Sequence, residues 1–135
     1  MKTEPGTQAV ADHLAGVSDP KRRADAQQVC DLLAEVTGEP PVMWGSAIIG
    51  FGSCTRHYHD GREYTWMLAG FAARKAATVL YLNDGYEQHG ELLERLGPHS
   101  IGKSCLNLRT LQGVDLGVLR ELVAASVATA RAGES

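Results

Sequence analysis

One segment of the chain has the letters of a nucleotide-binding phosphate loop, GxxxxGK[ST], and runs Gly97-Pro98-His99-Ser100-Ile101-Gly102-Lys103-Ser104. A working phosphate loop leaves a strand and opens a helix, so that backbone N–H groups converge on the phosphates. Here a helical pattern precedes the segment, and the alternating run Ser104 to Arg109 follows it. We therefore predict that Gly97 ends a helix and that Gly102 shapes the entry to a strand, and we do not predict nucleotide hydrolysis.

Two histidines at the end of a predicted strand have a spacing that suits a metal site. His57 and His59 lie two residues apart and therefore share a face of the strand, and Glu63 lies across the predicted turn. Imidazole and carboxylate groups bind transition metals, but the local sequence offers no further ligand. These three residues are candidate metal ligands, and the alternative is that they are solvated hairpin residues.

A small-anion site is a second hypothesis, based on cations in the predicted turns. Arg74 and Lys75 occupy the second turn of the predicted sheet, and Lys103 with Ser104 precedes its fourth strand. These groups converge if the corresponding ends of the sheet coincide, and together they could bind an anion. The alternative is that they are separate, solvated cations.

Glycines and aromatic residues give the predicted sheet an unusual face. Gly50 and Gly52 share one face of the first strand and leave it without side chains, which permits a ligand to approach the backbone closely. Trp44, Tyr64 and Trp66 offer aromatic area nearby, for a small ligand, a protein partner or a second copy of the chain. The alternative is that the first helix or the C-terminal segment covers this face.

Few combinations of residues in this sequence suggest catalysis. No Ser/His/Asp or Cys/His spacing indicates an activated nucleophile. We predict no catalytic residues, and we favour a binding module over an enzyme.

Three apolar runs, 47–58, 63–72 and 76–83, predict an antiparallel meander that would position all these groups. In the middle run Trp66 and Leu68 lie on one face and Met67 and Phe71 on the other, as expected for a strand covered on both sides. Helical spacing predicts a first helix up to Gly16, a second from Asp19-Pro20 to Thr37-Gly38, a third over 86–96 and a last one after Asp115. The expected fold is α+β, with helices packed on an antiparallel sheet of about four strands in the order ααβββαβα.

Length and composition indicate a single domain spanning residues 1–135, with 44% hydrophobic residues. The net charge of -3 gives no global attraction to nucleic acid or to anionic membranes. Three widely spaced cysteines suit reduced thiols, and no run is long enough to span a membrane. The sequence therefore predicts a cytoplasmic protein.

A set of short motifs between about residues 42 and 123 forms a specific combination. These motifs are Met43-Trp44-Gly45, Gly50-Phe51-Gly52, Gly70-Phe71, Arg74-Lys75, Leu80-Tyr81, Leu96-Gly97, Gly102-Lys103-Ser104-Cys105-Leu106 and Asp115-Leu116. On these residues the chain resembles the YdhG-like family, a bacterial domain of unknown function. The chain differs from the family pattern at Ala73, where a proline is common, and at Pro98 and Ser100, where lysines are common. The resemblance implies a two-layer α+β fold compared with frataxin, a role in iron delivery and no enzymatic activity.

Overall fold

Four helices and eight strands make up the part of the chain that the structure describes, so the expected α+β class is confirmed. The structure, a computed structural model, describes residues 6–44, 47–57, 60–74, 77–82, 89–102 and 105–132, with the backbone alone at 6–9, 54, 56, 57, 64 and 132. The elements are α1 (Gly6–Ala15), α2 (Pro20–Thr37), β1 (Pro41–Trp44), β2 (Ile48–Phe51), β3 (Cys54–His57), β4 (Glu63–Trp66), β5 (Ala69–Ala73), β6 (Thr78–Leu82), α3 (Gly90–Leu96), β7 (Ser100–Ile101), β8 (Cys105–Leu108) and α4 (Leu116–Ala132).

Local chemistry sets both ends of α2. Asp19 is the N-cap, and its Oδ1 accepts a hydrogen bond from the backbone N–H of Lys21 at 3.0 Å. Pro20 follows at the first helical position, where its missing N–H has no intrahelical partner to lose. Gly38 ends the helix at φ 71°, a left-handed conformation that glycine adopts without a Cβ penalty. The predicted boundaries of this helix are confirmed.

The other helices differ from prediction mainly where they begin. Helix α1 already starts at Gly6, although the first residues of the chain have few apolar side chains to bury. Helix α3 is described from Gly90 onwards, and residues 86–88 of its predicted range lie outside the described residues. Before α4, Asp115 accepts a hydrogen bond from the N–H of Val118 at 3.1 Å, as expected for a cap.

The predicted hairpin of two long strands is one hairpin bent in the middle. Phe51 pairs with Ala69 before the bend, and Cys54 pairs with Trp66 after it. Both strands advance by three residues between these two pairs, so the register is the same on both sides of the bend. At the bend Gly52 has φ 64°, and the sheet pairing is interrupted. The inner halves, β2 and β5, join the main sheet, while β3 and β4 form a separate two-stranded ribbon. The expectation of continuous strands was wrong because a left-handed glycine breaks the pleat.

The main sheet is antiparallel and has six strands among the described residues, in the order β1-β2-β5-β6-β8-β7. The sequence predicted about four. The two additional strands lie at the edges: Pro41–Trp44 pairs with β2, and Ser100–Ile101 pairs with β8. Both are short, and neither shows enough alternation to be recognised in isolation.

The main core lies between one face of this sheet and the helices. Ile49, Phe71 and Leu80 form a row across β2, β5 and β6, and all three are fully buried. Leu33 of α2 and Leu119 of α4 belong to the same buried cluster. Burying a side chain of this size contributes about 1.5–3 kcal/mol, so this layer supplies the main drive for folding. None of the helices in the described ranges is long and apolar enough to cross a membrane.

The opposite face of the sheet, which we call the second face, has its own smaller set of buried residues. Side chains alternate along a strand, so Gly70 and Ala72 of β5 and Val79 and Tyr81 of β6 point away from the main core. Ala72 and Val79 are buried but lie outside the main cluster.

The middle strand is therefore covered on both sides, as its sequence predicts, but the predicted faces were wrong. Leu68 belongs to the main core cluster with Phe71, whereas Met67 lies against Gly50 and Gly70 of the second face. The alternation is broken because residues 67 and 68 lie between the end of β4 and the start of β5.

Candidate functional site

The segment that matches the phosphate-loop pattern joins a helix to a β-hairpin. Helix α3 ends at Leu96, Gly97 follows it, and β7 begins at Ser100. The N–H of Gly102 donates to the carbonyl of Cys105 at 2.9 Å, which closes a tight connection to β8. A helix comes before the segment and a strand after it, so the described backbone has the reverse order of a phosphate loop, as predicted. Lys103 and Ser104 lie outside the described residues.

The spaces above Gly50 and Gly52 are occupied by the chain's own side chains, and the prediction that the two glycines share a face was wrong. Trp44 and Met67 lie over Gly50 on the second face, whereas Leu68, which belongs to the main core cluster, lies over Gly52, because the chain bends at that glycine. A Cβ built on Gly50 would lie 2.8 Å from Trp44 Nε1 and 2.9 Å from Met67 Sδ. A Cβ on Gly52 would lie 2.7 Å from Leu68 Cδ1. The glycines do allow a close approach, but the groups that approach are an indole, a thioether and an isobutyl group of this protein. We therefore place no ligand against Gly50 or Gly52.

An aromatic pair lies over this end of the second face. The ring centroids of Trp44 and Trp66 are 5.4 Å apart, and the rings meet edge to face at 70°. Both side chains are half-buried, and neighbouring Val42 is 39% exposed. Tyr64 belongs to β4, and its side chain lies outside the description. The contact between the two rings joins the ribbon to the edge of the sheet, and part of the aromatic surface remains exposed to solvent.

The candidate metal ligands lie on the ribbon. His57 of β3 pairs directly with Glu63 of β4, so the backbone places these two residues opposite each other. The side chain of His57 and the whole of His59 lie outside the described residues. Within the described ranges, no group of three or more His, Cys, Asp or Glu residues could hold a metal ion. The metal site at these residues stays a prediction.

Arg74 is directed over the second face of the sheet. Its N–H donates to the carbonyl of Ala77 at 2.8 Å, which continues the pairing of β5 with β6. Its guanidinium Nη2 donates to the hydroxyl of Tyr81 at 3.1 Å. The neighbouring Lys75 lies outside the described residues.

Strand register decides which cation lies at Arg74's end of the sheet. Cys105, the first residue of β8, pairs with Tyr81, and Leu108, the last residue of β8, pairs with Thr78. Thr78 also pairs with Ala73, the residue that directly precedes Arg74. Arg109, which follows β8, therefore lies at the same end of the sheet as Arg74, whereas the beginning of β8 does not.

Arg109 lines a groove between the start of α2 and the entry to β7. The groove consists of two adjoining cavities of about 460 and 280 Å³, which share Pro98, Arg109 and Thr110. Arg22 lines the larger cavity from the α2 side. We call this the arginine groove, and its lining residues are Arg22, Pro98, His99, Ser100, Asn107, Arg109 and Thr110.

Two side chains of α2 hold the wall of the groove in place. Nη1 of Arg22 donates to the carbonyl of Arg109 at 3.0 Å, and the N–H of Leu111 donates to Oδ2 of Asp25 at 3.3 Å. Arg22 and Asp25 are three residues apart and therefore lie on the same side of the helix. Asp25 is only 8% exposed. The loop after β8 thus has its backbone polar groups bonded to helix side chains, which fixes the position of Arg109.

The far end of the groove is polar and internally bonded. Asn107 Nδ2 donates to Ser100 Oγ at 3.3 Å across the β7–β8 pair. His99 Nδ1 lies 2.8 Å from the carbonyl of Gly97 and donates to it, because a carbonyl oxygen only accepts.

Several arginines in the described part of the chain pair with carboxylates, whereas the arginines of the groove do not. Among the described residues, ion pairs link Arg62 with Asp60, Arg95 with Glu121, Arg120 with Glu35 and Arg131 with Glu39. Neither Arg22 nor Arg109 has such a pair within the described ranges. Their positive charge is therefore available to a ligand. Neither Arg22 nor Arg109 is among the candidate site residues that the sequence predicts.

Cys30 of α2 does not supply a reactive nucleophile at neutral pH. Burial raises the pKa of the Cys30 thiol to about 11, with a smaller contribution from the nearby Asp31 carboxylate. Cys30 is 4% exposed, and Cys105 is half-buried on the second face. A thiol with a raised pKa is protonated at neutral pH and is a poor nucleophile.

Comparisons with known proteins gave no match to this chain, whether with protein-family models, with curated proteins or with solved structures.

Proposed function

We propose that this chain is a YdhG-like binding module without catalytic activity, and that it binds a small anion in the arginine groove. The observation that carries the proposal is the meeting of Arg22 and Arg109, without a carboxylate partner in the described residues, at one cavity. A guanidinium presents several N–H donors in a planar fork that matches carboxylate and phosphate oxygens. The anion is therefore a carboxylate or a phosphate.

The groove also has features that favour selective binding. One N–H of the Arg22 guanidinium donates to the carbonyl of Arg109, and this bond orients the guanidinium of Arg22. The other N–H groups of Arg22 remain for a ligand. Thr110 offers a hydroxyl, and Pro98 a rigid apolar wall. Groups that are already oriented lose less entropy when a ligand binds.

Replacing Arg109 tests this proposal directly. Its side chain is exposed and its carbonyl makes the structural contact, so Arg109→Gln should leave stability almost unchanged. We expect binding of inorganic phosphate or succinate, measured by calorimetry at low salt, to weaken about tenfold. A charge-assisted hydrogen bond contributes about 1.5–3 kcal/mol, and the lower end applies because the Arg109 side chain is exposed to solvent.

Arg62→Gln is the matched control, because Arg62 lies on the ribbon turn and pairs with Asp60. Its affinity for the same anions should equal that of the unaltered protein. Equal affinities for the Arg109 and Arg62 variants, or no anion binding by the unaltered protein, would remove the proposed site.

Iron handling, which the resemblance implies, remains a separate prediction. Titration of the purified protein with Fe(II) and Fe(III) tests it, and His57→Ala and Glu63→Ala test whether the ribbon supplies ligands. Affinity no greater than that of the buffer would exclude an iron site.

The aromatic area of the second face supports a second candidate function, association with a protein or with another copy of the chain. Val42 is 39% exposed beside the half-buried Trp44 and Trp66. If copies associate through this area, sedimentation should show a dimer that Trp66→Glu converts to a monomer, because a buried unpaired carboxylate is costly. Arg62→Glu on the same ribbon controls for added charge, and a monomer in the unaltered protein would argue against self-association.

A further inference from the structure

The arginine groove extends beyond its two cations into the smaller of its cavities. This cavity measures about 280 Å³, and Pro98 and Arg109 line it together with the larger one. His99, Ser100 and Asn107 also line it, so within the described residues it presents ring, hydroxyl and amide groups and no carboxylate. A ligand that fills both cavities therefore has a body as well as an anionic group.

Asn107 has an oriented hydrogen-bond acceptor at this smaller cavity. Its Nδ2 lies 3.4 Å from the backbone carbonyl of Ser100 and 3.3 Å from Ser100 Oγ. A carbonyl oxygen only accepts, so the amide atom that faces Ser100 is the nitrogen. The Oδ1 atom of Asn107 has no partner among the described residues, and the side chain is half-buried. The cavity therefore favours a ligand group that donates a hydrogen bond.

The side chains at the junction of the two cavities suit a flat ring. Arg109 lines both cavities, and a guanidinium binds a carboxylate along its edge while its face attracts an aromatic ring. Pro98 also lines both, and its pyrrolidine ring is a rigid apolar surface. One planar side chain can thus contact both the anionic group and the ring of the same ligand.

We propose that the ligand is an aromatic carboxylate whose ring lies in the smaller cavity and carries a hydrogen-bond donor for Asn107. This inference rests on the proposed anion site and deepens it by naming the class of ligand. Arg109 directly follows β8 and is two residues from Asn107, so their Cα atoms are about 7 Å apart in extended chain. This separation is comparable with the span of a benzene ring that carries groups at opposite positions. The donor is therefore para to the carboxylate.

Four carboxylates separate the contributions of the ring and of the donor. Cyclohexanecarboxylate has a ring without a π face, and benzoate has the π face. We expect benzoate to bind the unaltered protein about two- to fivefold more tightly, measured by calorimetry at low salt, because of its attraction to Arg109. A cavity that is merely apolar would instead favour the more hydrophobic cyclohexane ring.

The other two probes differ only at the para position. The hydroxyl of para-hydroxybenzoate donates a hydrogen bond, and para-methylbenzoate has a methyl group in its place. We expect para-hydroxybenzoate to bind about two- to tenfold more tightly, the range for one neutral hydrogen bond.

Asn107→Ala identifies the acceptor. This variant should bind para-hydroxybenzoate and para-methylbenzoate equally well, because the amide oxygen is gone. Its affinity for benzoate should not change, which also shows that the variant is folded. Gln27→Ala is the matched control, because the amide of Gln27 donates to Asp31 on α2 and does not line the groove. This control should retain the preference for para-hydroxybenzoate.

The outcomes distinguish the ligand class from the anion site. If cyclohexanecarboxylate binds the unaltered protein as tightly as benzoate, or para-methylbenzoate as tightly as para-hydroxybenzoate, the aromatic ligand is overturned. Binding of phosphate or succinate that depends on Arg109 would then keep the anion site. A preference for para-hydroxybenzoate that persists in folded Asn107→Ala also overturns the aromatic ligand. If neither the aromatic acids nor phosphate and succinate bind, both proposals fail.

Discussion

Gly97→Ala should be among the most damaging single substitutions in the chain, with a loss of about 3–5 kcal/mol in the free energy of unfolding. Gly97 has φ 110° and ψ -161°, a region that residues with a Cβ rarely enter. A Cβ here would also run into the backbone of Gly113, whose carbonyl oxygen is nearest and whose carbonyl carbon is 3.2 Å away. Denaturant unfolding measures the loss, which is a large part of a typical stability of about 5–15 kcal/mol.

Gly90→Ala is the matched control for this substitution. A Cβ on Gly90 would meet nothing within 4 Å, and the residue is the first of α3. Alanine favours a helix more than glycine does, so this variant should be unchanged or slightly more stable. If Gly97→Ala unfolds at the same denaturant concentration as Gly90→Ala, the described contact between Gly97 and Gly113 is wrong.

Asp25→Ala should cost about 2–3 kcal/mol and should also weaken anion binding. Asp25 is buried, and its Oδ2 accepts from the N–H of Leu111 in the loop after β8. Without the carboxylate, this buried N–H loses its partner, which carries a desolvation cost. The loop that holds Arg109 then has fewer attachments to α2, so affinity for phosphate should fall about as far as in Arg109→Gln.

Two further variants separate these effects. Asp25→Asn retains an oxygen acceptor for Leu111 and should lose less stability than Asp25→Ala. Asp31→Ala removes an exposed carboxylate of the same helix, whose contact is with Gln27, and should be nearly neutral. A loss of stability without any loss of anion affinity would show that the position of Arg109 does not depend on the Asp25 contact.

The proposed site depends on how α2 meets the end of β8. Arg22 and Arg109 are separated by 87 positions in sequence, yet the guanidinium of one contacts the backbone of the other. The pairing of Leu108 with Thr78 sets where Arg109 emerges, and the α2 contacts fix the loop there. Substitutions that detach this loop from α2 should therefore lower ligand affinity as well as stability.

Several features of the fold were determined by local sequence. Asp19, Pro20 and Gly38 set the bounds of α2, because capping and left-handed backbone depend on a few adjacent residues. The order of patterns around the phosphate-loop letters also predicted a helix followed by a strand, which the described residues confirm.

Other features arose only from tertiary contacts. The glycine face was expected to be open, but Trp44 and Met67 fill it, and a spacing rule cannot show which distant side chain arrives there. The bend at Gly52 and the two edge strands likewise depend on partners that pair across the sheet. The resemblance to the YdhG-like family and the metal hypothesis remain predictions.

Local preference determined where helices and turns begin and end, because those choices involve neighbouring residues. The candidate site required residues from α2, β7 and the segment after β8 to be brought together, and strand register decided which of the chain's cations meet. Arg22 and Arg109 have no sequence motif in common. Their proximity is a property of the folded sheet and of the helix packed at its end.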